Sequence, residues 1–564
     1  MTEISSQSIH FNLLDEPWVP VLLLDGTTDE VSLRDLFVRA HQIRSVSGDI
    51  ALERIAILRL ALAVFYCVYW QAGDSELATE GSLTDLWNQL FSCGRFEMGD
   101  IDPYLSDVHD RFDLFGPEPF YQVADLAYAA KDPDPISELI IDMPKPDKFL
   151  FSMRSNHGPV GLTCDEAARC LLLAQAYDPA GIKSPVVGYR DVKGGKAYPP
   201  KGMLGTGWCG SIGGLYIEGE NLFETIMRNW VLFLNGKKLL GIDGDLPPWE
   251  RPAPNAEMVV REPVGPIDLL TWQSRRIRLV PDEKTLTVRG VVICYGDATR
   301  AADKYDSELM TSWRESKEQQ KKLQTAHVPL MPIAPDSSKA LWRGLSSLLG
   351  VSRDGVTSGG DLRSGVVRWA DHLERISADD TVRHRPVRVR AQGVVYGTQS
   401  SVIIDMVDDY IDLDATLFHR DAEGVSAAIE MVAQAEDSVR ALVRFVQNVQ
   451  TANGADQPVA DEGVRECAYD ELDGIFRRRL AHCAPENELD EFCNAWRDEI
   501  RVALDRIAVS YLASSGFSAF RESERMTSGR AIAMFRASLA KYLAHTGGAD
   551  GAASVTDEQV EEVG

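Results

Sequence analysis

Beyond about residue 415 the apolar residues of this chain fall at helical spacing, and this limits what its last quarter can fold into. Val425, Ala428, Ile429, Val432, Val439, Leu442, Val443 and Val446 keep roughly helical spacing. The same holds for Leu472, Ile475, Phe476 and Leu480, for Leu489, Phe492, Trp496, Ile500, Leu504 and Ala508, and for Ile532, Phe535, Leu539 and Tyr542. Amphipathic helices in series with short connections predict an antiparallel four-helix bundle. After Gly547 the chain is glycine, alanine and acidic residues, a composition that cannot bury a core.

The first 410 residues mix both patterns. Phe11–Val21 is a short apolar run interrupted by Pro17 and Pro20, which suits an edge strand. A helix starts after Val31 with Ser32 as its cap, and a long amphipathic helix spans about Ile50 to Trp70. Residues 132–161 read as loop. A helix capped by Thr163 runs through Ala167–Ala176, and a long Gly/Lys/Pro loop starts at Gly181. Strands are expected over 276–280, 286–294, 387–396 and 402–404. The fold class is therefore α+β: a mixed α/β domain over 1–410, a four-helix bundle over 411–547 and a disordered acidic tail over 548–564. A chain of 564 residues with 45% hydrophobic content has ample material for about two to four domains.

The most apolar early stretch, Ile55 to Trp70, is short and carries Arg59, so it reads as a buried helix and not as a membrane span. The opening residues show no basic region leading into an apolar run, and a cytoplasmic location is expected. Nine scattered cysteines without a C-x-x-C pair predict reduced thiols and no zinc site.

Charge and motifs then narrow the chemistry. The formal charge of −27 opposes nucleic-acid binding in bulk, but a local basic surface can still bind DNA when partner subunits supply further charge. The carboxylates Asp405, Asp408 and Asp409 could hold Mg²⁺ in a nuclease, although an acidic turn explains them as well. No Walker loop, G-x-S-x-G elbow or H-E-x-x-H pattern occurs, and no cofactor is expected. Gly181, Lys183, Lys193, Gly194, Gly195 and Lys196 form a cationic element whose backbone can approach a ligand closely. Further basic runs are Arg275, Arg276 and Arg278 beside Trp272; Arg314, Lys317, Lys321 and Lys322; and Arg383, Arg385, Arg388 and Arg390, which alternate on one strand face. Thr398-Gln399-Ser400 caps a hairpin between two apolar strands, where a glutamine can meet a base edge.

Asn12-Leu-Leu-Asp-Glu-Pro-Trp-Val-Pro-Val21 resembles the opening of the CasA family, the large subunit of the type I-E CRISPR Cascade complex. Leu114–Gln122, the 181–196 loop, Gly219–Thr225, Asp268–Leu279 and the helical C-terminus follow in the family's order. The resemblance implies a non-enzymatic protein that reads the protospacer-adjacent motif (PAM) of double-stranded DNA from the minor groove. It implies that the duplex is opened with a glutamine-bearing hairpin and that a CRISPR helicase-nuclease is recruited. Under it, Gln399 is the wedge flanked by Thr398 and Ser400, 181–196 is the glycine loop, and Lys304 is a lysine finger. Phe151 contacts the crRNA 5′ end and the other Cascade subunits. The alternative is an acidic protein-docking scaffold without direct nucleic-acid contact.

Overall fold

The computed structural model describes residues 9–74, 78–143, 160–353, 355–356, 361–376, 386–515 and 526–544. They divide into two units, Met1–Ser426 with Leu480–His482, and Ala427–Arg479 with Cys483–Gly564.

In the first unit, Val19–Leu23 is the middle strand of an antiparallel sheet, between Thr28–Val31 and Ile43–Val46. This corrects the edge position expected from its prolines. Pro20 is tolerated because it lies one residue before the pairing with the third strand begins at Val21–Val46; its carbonyl accepts the Ser47 amide at 2.8 Å. Ser32 caps Leu33–Val38 by accepting the Asp35 amide at 3.1 Å.

Helix Leu52–Val68 is buried, as its apolar stretch predicted, but it shows no polar face of the amphipathic kind also expected: fourteen of its seventeen residues are buried. Its polar groups must therefore find partners inside. Arg59 succeeds. Both terminal nitrogens reach Glu308 at 3.0 Å, one also reaches the Leu269 carbonyl at 2.9 Å, and the Trp208 indole donates to Glu308 at 2.6 Å. Glu53 is less well served. One carboxylate oxygen makes no hydrogen bond and lies 3.6 Å from Arg169. Burial pushes its pKa from 4.5 to about 7 although Arg169 pulls the other way. Between those values the folded chain holds a proton that the unfolded chain has released, so this group's contribution to stability falls as pH rises through that window. Glu53→Gln is expected to raise the thermal midpoint relative to wild type more at pH 8 than at pH 5; an equal shift at both pH values would contradict it.

Two further sheets support the candidate site. Arg275–Asp282 and Thr287–Tyr295 form an antiparallel hairpin. Val387–Tyr396 runs between Gly214–Glu218 and Ile403–Leu413, antiparallel to both. Arg388 and Arg390 do share a face, but they form no positive stripe. Arg388 pairs with Asp412 at 2.7 Å, Arg390 pairs with Glu218 and Asp408 at 2.8 and 2.7 Å, and the Tyr410 ring lies against both guanidiniums. Arg383 and Arg385 lie outside the described residues. Arg275 and Arg276 are likewise buried, on Asp178 and Asp297.

The predicted C-terminal helices form as Glu423–Ala452, Glu462–Ala481, Leu489–Ser514 and Ser528–Tyr542. Within the second unit Val432, Leu442, Val446, Leu472, Ile500, Leu504 and Leu539 are buried. The ring pairs Phe445–Phe535 and Phe476–Trp496 lie 5.3 and 4.9 Å apart. The 548–564 tail lies outside the described residues. Among those residues no helix is long and apolar enough to cross a membrane.

Candidate functional site

Strands Val387–Tyr396 and Ile403–Leu413 meet at a tip closed by the Gly397 amide on the Val402 carbonyl, 2.9 Å. Thr398–Ser400 makes one tight turn whose last two residues are left-handed, Gln399 at φ 57° and Ser400 at φ 52°. Such conformations cost non-glycine residues about 1–2 kcal/mol each. The tip holds them through the Ser400 amide on the Gly397 carbonyl at 2.9 Å and the Ser401 hydroxyl on the Thr398 carbonyl at 3.0 Å. Thr398 and Gln399 are exposed and Ser400 is half-buried. Among the described residues the Gln399 amide has no side-chain partner, so a strained turn presents an uncommitted hydrogen-bonding group.

The stem is fixed from below. The Tyr396 hydroxyl donates to the Tyr177 carbonyl at 2.7 Å. Its ring lies so close to Gly210 that a Cβ there would fall 2.1 Å from the hydroxyl oxygen. Tyr177 ends the helix Cys164–Tyr177, which starts with the expected Thr163 cap and a reciprocal contact from Glu166.

The 181–196 segment follows that helix, and it is more ordered than the open loop expected. Lys183 and Ala197 exchange two backbone bonds of 3.1 and 3.0 Å. Inside that closure Val192–Lys193 pairs with Lys196–Ala197 around Gly194 and Gly195, at φ +58° and +72°. Two successive left-handed residues make the tight hairpin turn for which glycine is suited. The residue just before the segment meets the Gln399 hairpin: the Ala180 amide donates to the Ser400 carbonyl at 2.8 Å. Gly181 is pinned one residue on, its carbonyl accepting the Tyr295 hydroxyl.

The lysines divide into two kinds. Lys193 and Lys196 face solvent, the former with 73% of its side chain exposed. Lys183 does not; its ammonium lies 2.6 Å from Asp178 and only 11% of its side chain is exposed. Lys304, expected as an exposed finger, is 6% exposed and bound to the Glu262 carboxylate and the Ala302 carbonyl. Charge along a sequence does not reveal a partner 42 residues away. Phe151 lies outside the described residues. Lys201 and Arg300 went unremarked in the sequence, but both are exposed and in no ion pair among the described residues. The Leu204 amide donates to the Thr299 carbonyl at 3.0 Å, which brings their two segments together. Gly205 in turn packs against Ala180 and Pro199. The signal for Lys201 was the turn Pro199-Pro200-Lys201-Gly202.

The acidic residues offer no comparable site. Asp408 and Asp409 point to opposite faces of one strand. Asp408 accepts from Arg390 and Gln392, and Asp409 accepts the Leu341 amide at 2.6 Å. Among the described residues no group of three or more His, Cys, Asp or Glu side chains could hold a metal ion.

The family model of the CRISPR-associated protein Cse1 matches residues 12–507. This chain belongs to the Cse1 family. The Cse1 of Thermobifida fusca has the same fold at a TM-score of 0.84 and 33% identity, over 96% of this chain and 99% of that one. The CasA/Cse1 protein of Thermus thermophilus is 26% identical over 516 residues, 87% of this chain and 90% of the relative. A chain of a CRISPR RNA-guided surveillance complex, at 18% identity, shares the Cse1 fold with a TM-score of 0.69, over 95% of this chain and 100% of that chain. The CasA resemblance and the α+β class with a C-terminal helical bundle are thus both borne out.

Proposed function

We propose that this Cse1 protein is the PAM-reading and duplex-opening large subunit of a crRNA-guided surveillance complex, acting by recognition and not by catalysis. One observation carries the reading: the bond from Ala180 to Ser400 joins the glycine hairpin segment to the glutamine-bearing tip. The DNA minor groove is narrow and shows mainly acceptors plus the guanine amino group. A two-glycine turn can enter it where bulkier side chains could not. Lys193, Lys196, Lys201 and Arg300 offer phosphate contacts beside it. Gln399, held on a strained tip, takes the place of the first base pair. Parting that pair costs a few kcal/mol, which pairing with the guide offsets. In this reading the 144–160 segment with Phe151 meets the crRNA 5′ end and companion subunits, and the opened target passes to a helicase-nuclease.

The test is binding of the assembled complex to target duplexes that differ only at the motif. Wild type should prefer the motif-bearing duplex, and equal affinity for both would end the proposal. Arg300→Ala is expected to weaken that binding and to lower the slope of log K against log salt by about 0.9, the share of one phosphate contact. Lys304→Ala should leave the slope unchanged, because its ammonium is already committed to Glu262.

A further inference from the structure

The limbs of the loop between Asp178 and Gly207 close on one another through the Gly207 amide and the Asp178 carbonyl, 3.0 Å. Beneath the closure sits Arg275, 2% exposed. Its Nε donates to the Asp178 carboxylate. One terminal nitrogen takes the Ser274 carbonyl at 3.0 Å. The other reaches the carbonyls of Asp178 at 3.0 Å, Pro179 at 3.3 Å and Gly205 at 2.7 Å. The guanidinium also lies 5.0 Å from the centre of the Tyr295 ring, whose hydroxyl holds Gly181. Burial alone would raise the Asp178 pKa, but Lys183 and Arg275 outweigh it and hold the carboxyl below its usual value. One planar cation thus touches the outgoing limb at 178–179 and the returning limb at 205. The next residue of the outgoing limb, Ala180, bonds the hairpin tip.

We infer that Arg275 is a positioning residue that fixes the glycine hairpin and the Gln399 tip in one register, so that contact with the motif is transmitted to strand opening. The inference rests on the proposed duplex-opening role. Only arginine can do this from one position, because its fork aims fixed donors in several directions while lysine offers one compact charge. Arg275→Lys keeps the charge opposite Asp178 and loses the hold on the returning limb.

The test uses the assembled complex with a motif-bearing duplex, fully paired or carrying a short mismatched bubble beside the motif. Losing one or two such hydrogen bonds from the register should weaken Arg275→Lys on the paired duplex roughly tenfold. On the bubble, where no opening is required, its affinity should return to that of wild type. Tyr295→Phe, which removes only the hydroxyl on Gly181, should show a smaller loss of the same kind and serves if Arg275→Lys does not fold. Wild-type behaviour of both variants on the paired duplex overturns the inference. So does an equal loss on paired and bubbled DNA, which would mark Arg275 as merely structural. Gln399→Ala is measured alongside: if it opens paired DNA normally, the duplex-opening reading itself fails, whatever Arg275→Lys does.

Discussion

Gln399→Ala is expected to slow opening of the first target base pair roughly tenfold to a hundredfold, as read by a fluorescent base analogue next to the motif. The estimate rests on the Gln399 amide hydrogen-bonding a base edge, a contact worth about 1–3 kcal/mol. Folding should not change. Gln399 is exposed, its amide supports no other side chain among the described residues, and alanine meets the same left-handed backbone that glutamine already tolerates. Thermal midpoints of the two proteins should therefore coincide. Wild-type opening kinetics in the variant would show that the tip is no wedge.

The second large effect concerns stability. Arg59→Leu is expected to cost about 3–5 kcal/mol, seen as a lower urea midpoint, because Glu308 would stay buried without its cation. Burial would by itself lower the Arg59 pKa, but Glu308 among its neighbours keeps the guanidinium charged. The loss should spread to the other groups that Glu308 holds. Glu308 also accepts the Trp208 indole and the Met310 amide, and its own amide binds the Lys304 carbonyl at 2.7 Å. Adding Glu308→Leu should recover part of the loss, since a hydrophobic pair leaves no stranded charge. A double variant as unstable as the sum of the singles would refute that account.

What the sequence disclosed was local. The C-terminal helices were legible because a 3.6-residue period is written in adjacent turns, as in Leu489, Phe492, Trp496 and Ile500. Ser32 and Thr163 were legible because a cap acts within three residues. The Gln399 hairpin was legible from two apolar runs around a polar turn. What stayed hidden was pairing over distance. Arg275 meets Asp178 across 97 residues, and Arg59 meets Glu308 across 249. Neither arginine differs in sequence from one in water. The burial of helix Leu52–Val68 was legible from its apolar stretch, but not that it would lack a polar face, because surroundings decide whether a mixed helix shows one. Pro20 misled because the rule against proline in a central strand concerns the missing N–H, and here the third strand's pairing starts only one residue later.

The Val387–Tyr396 strand is paired on both sides over Arg388–Gln392, and its last residue is clamped between Tyr177 and Gly210 before the tip emerges. A post rooted that way has little freedom to swing, so in the proposed duplex-opening role the compliance has to come from the nucleic acid. Targets whose motif-proximal steps kink easily, such as TA or CA, should then be engaged faster than stiff A-tracts with the same motif, a preference expressed at bases the protein never touches.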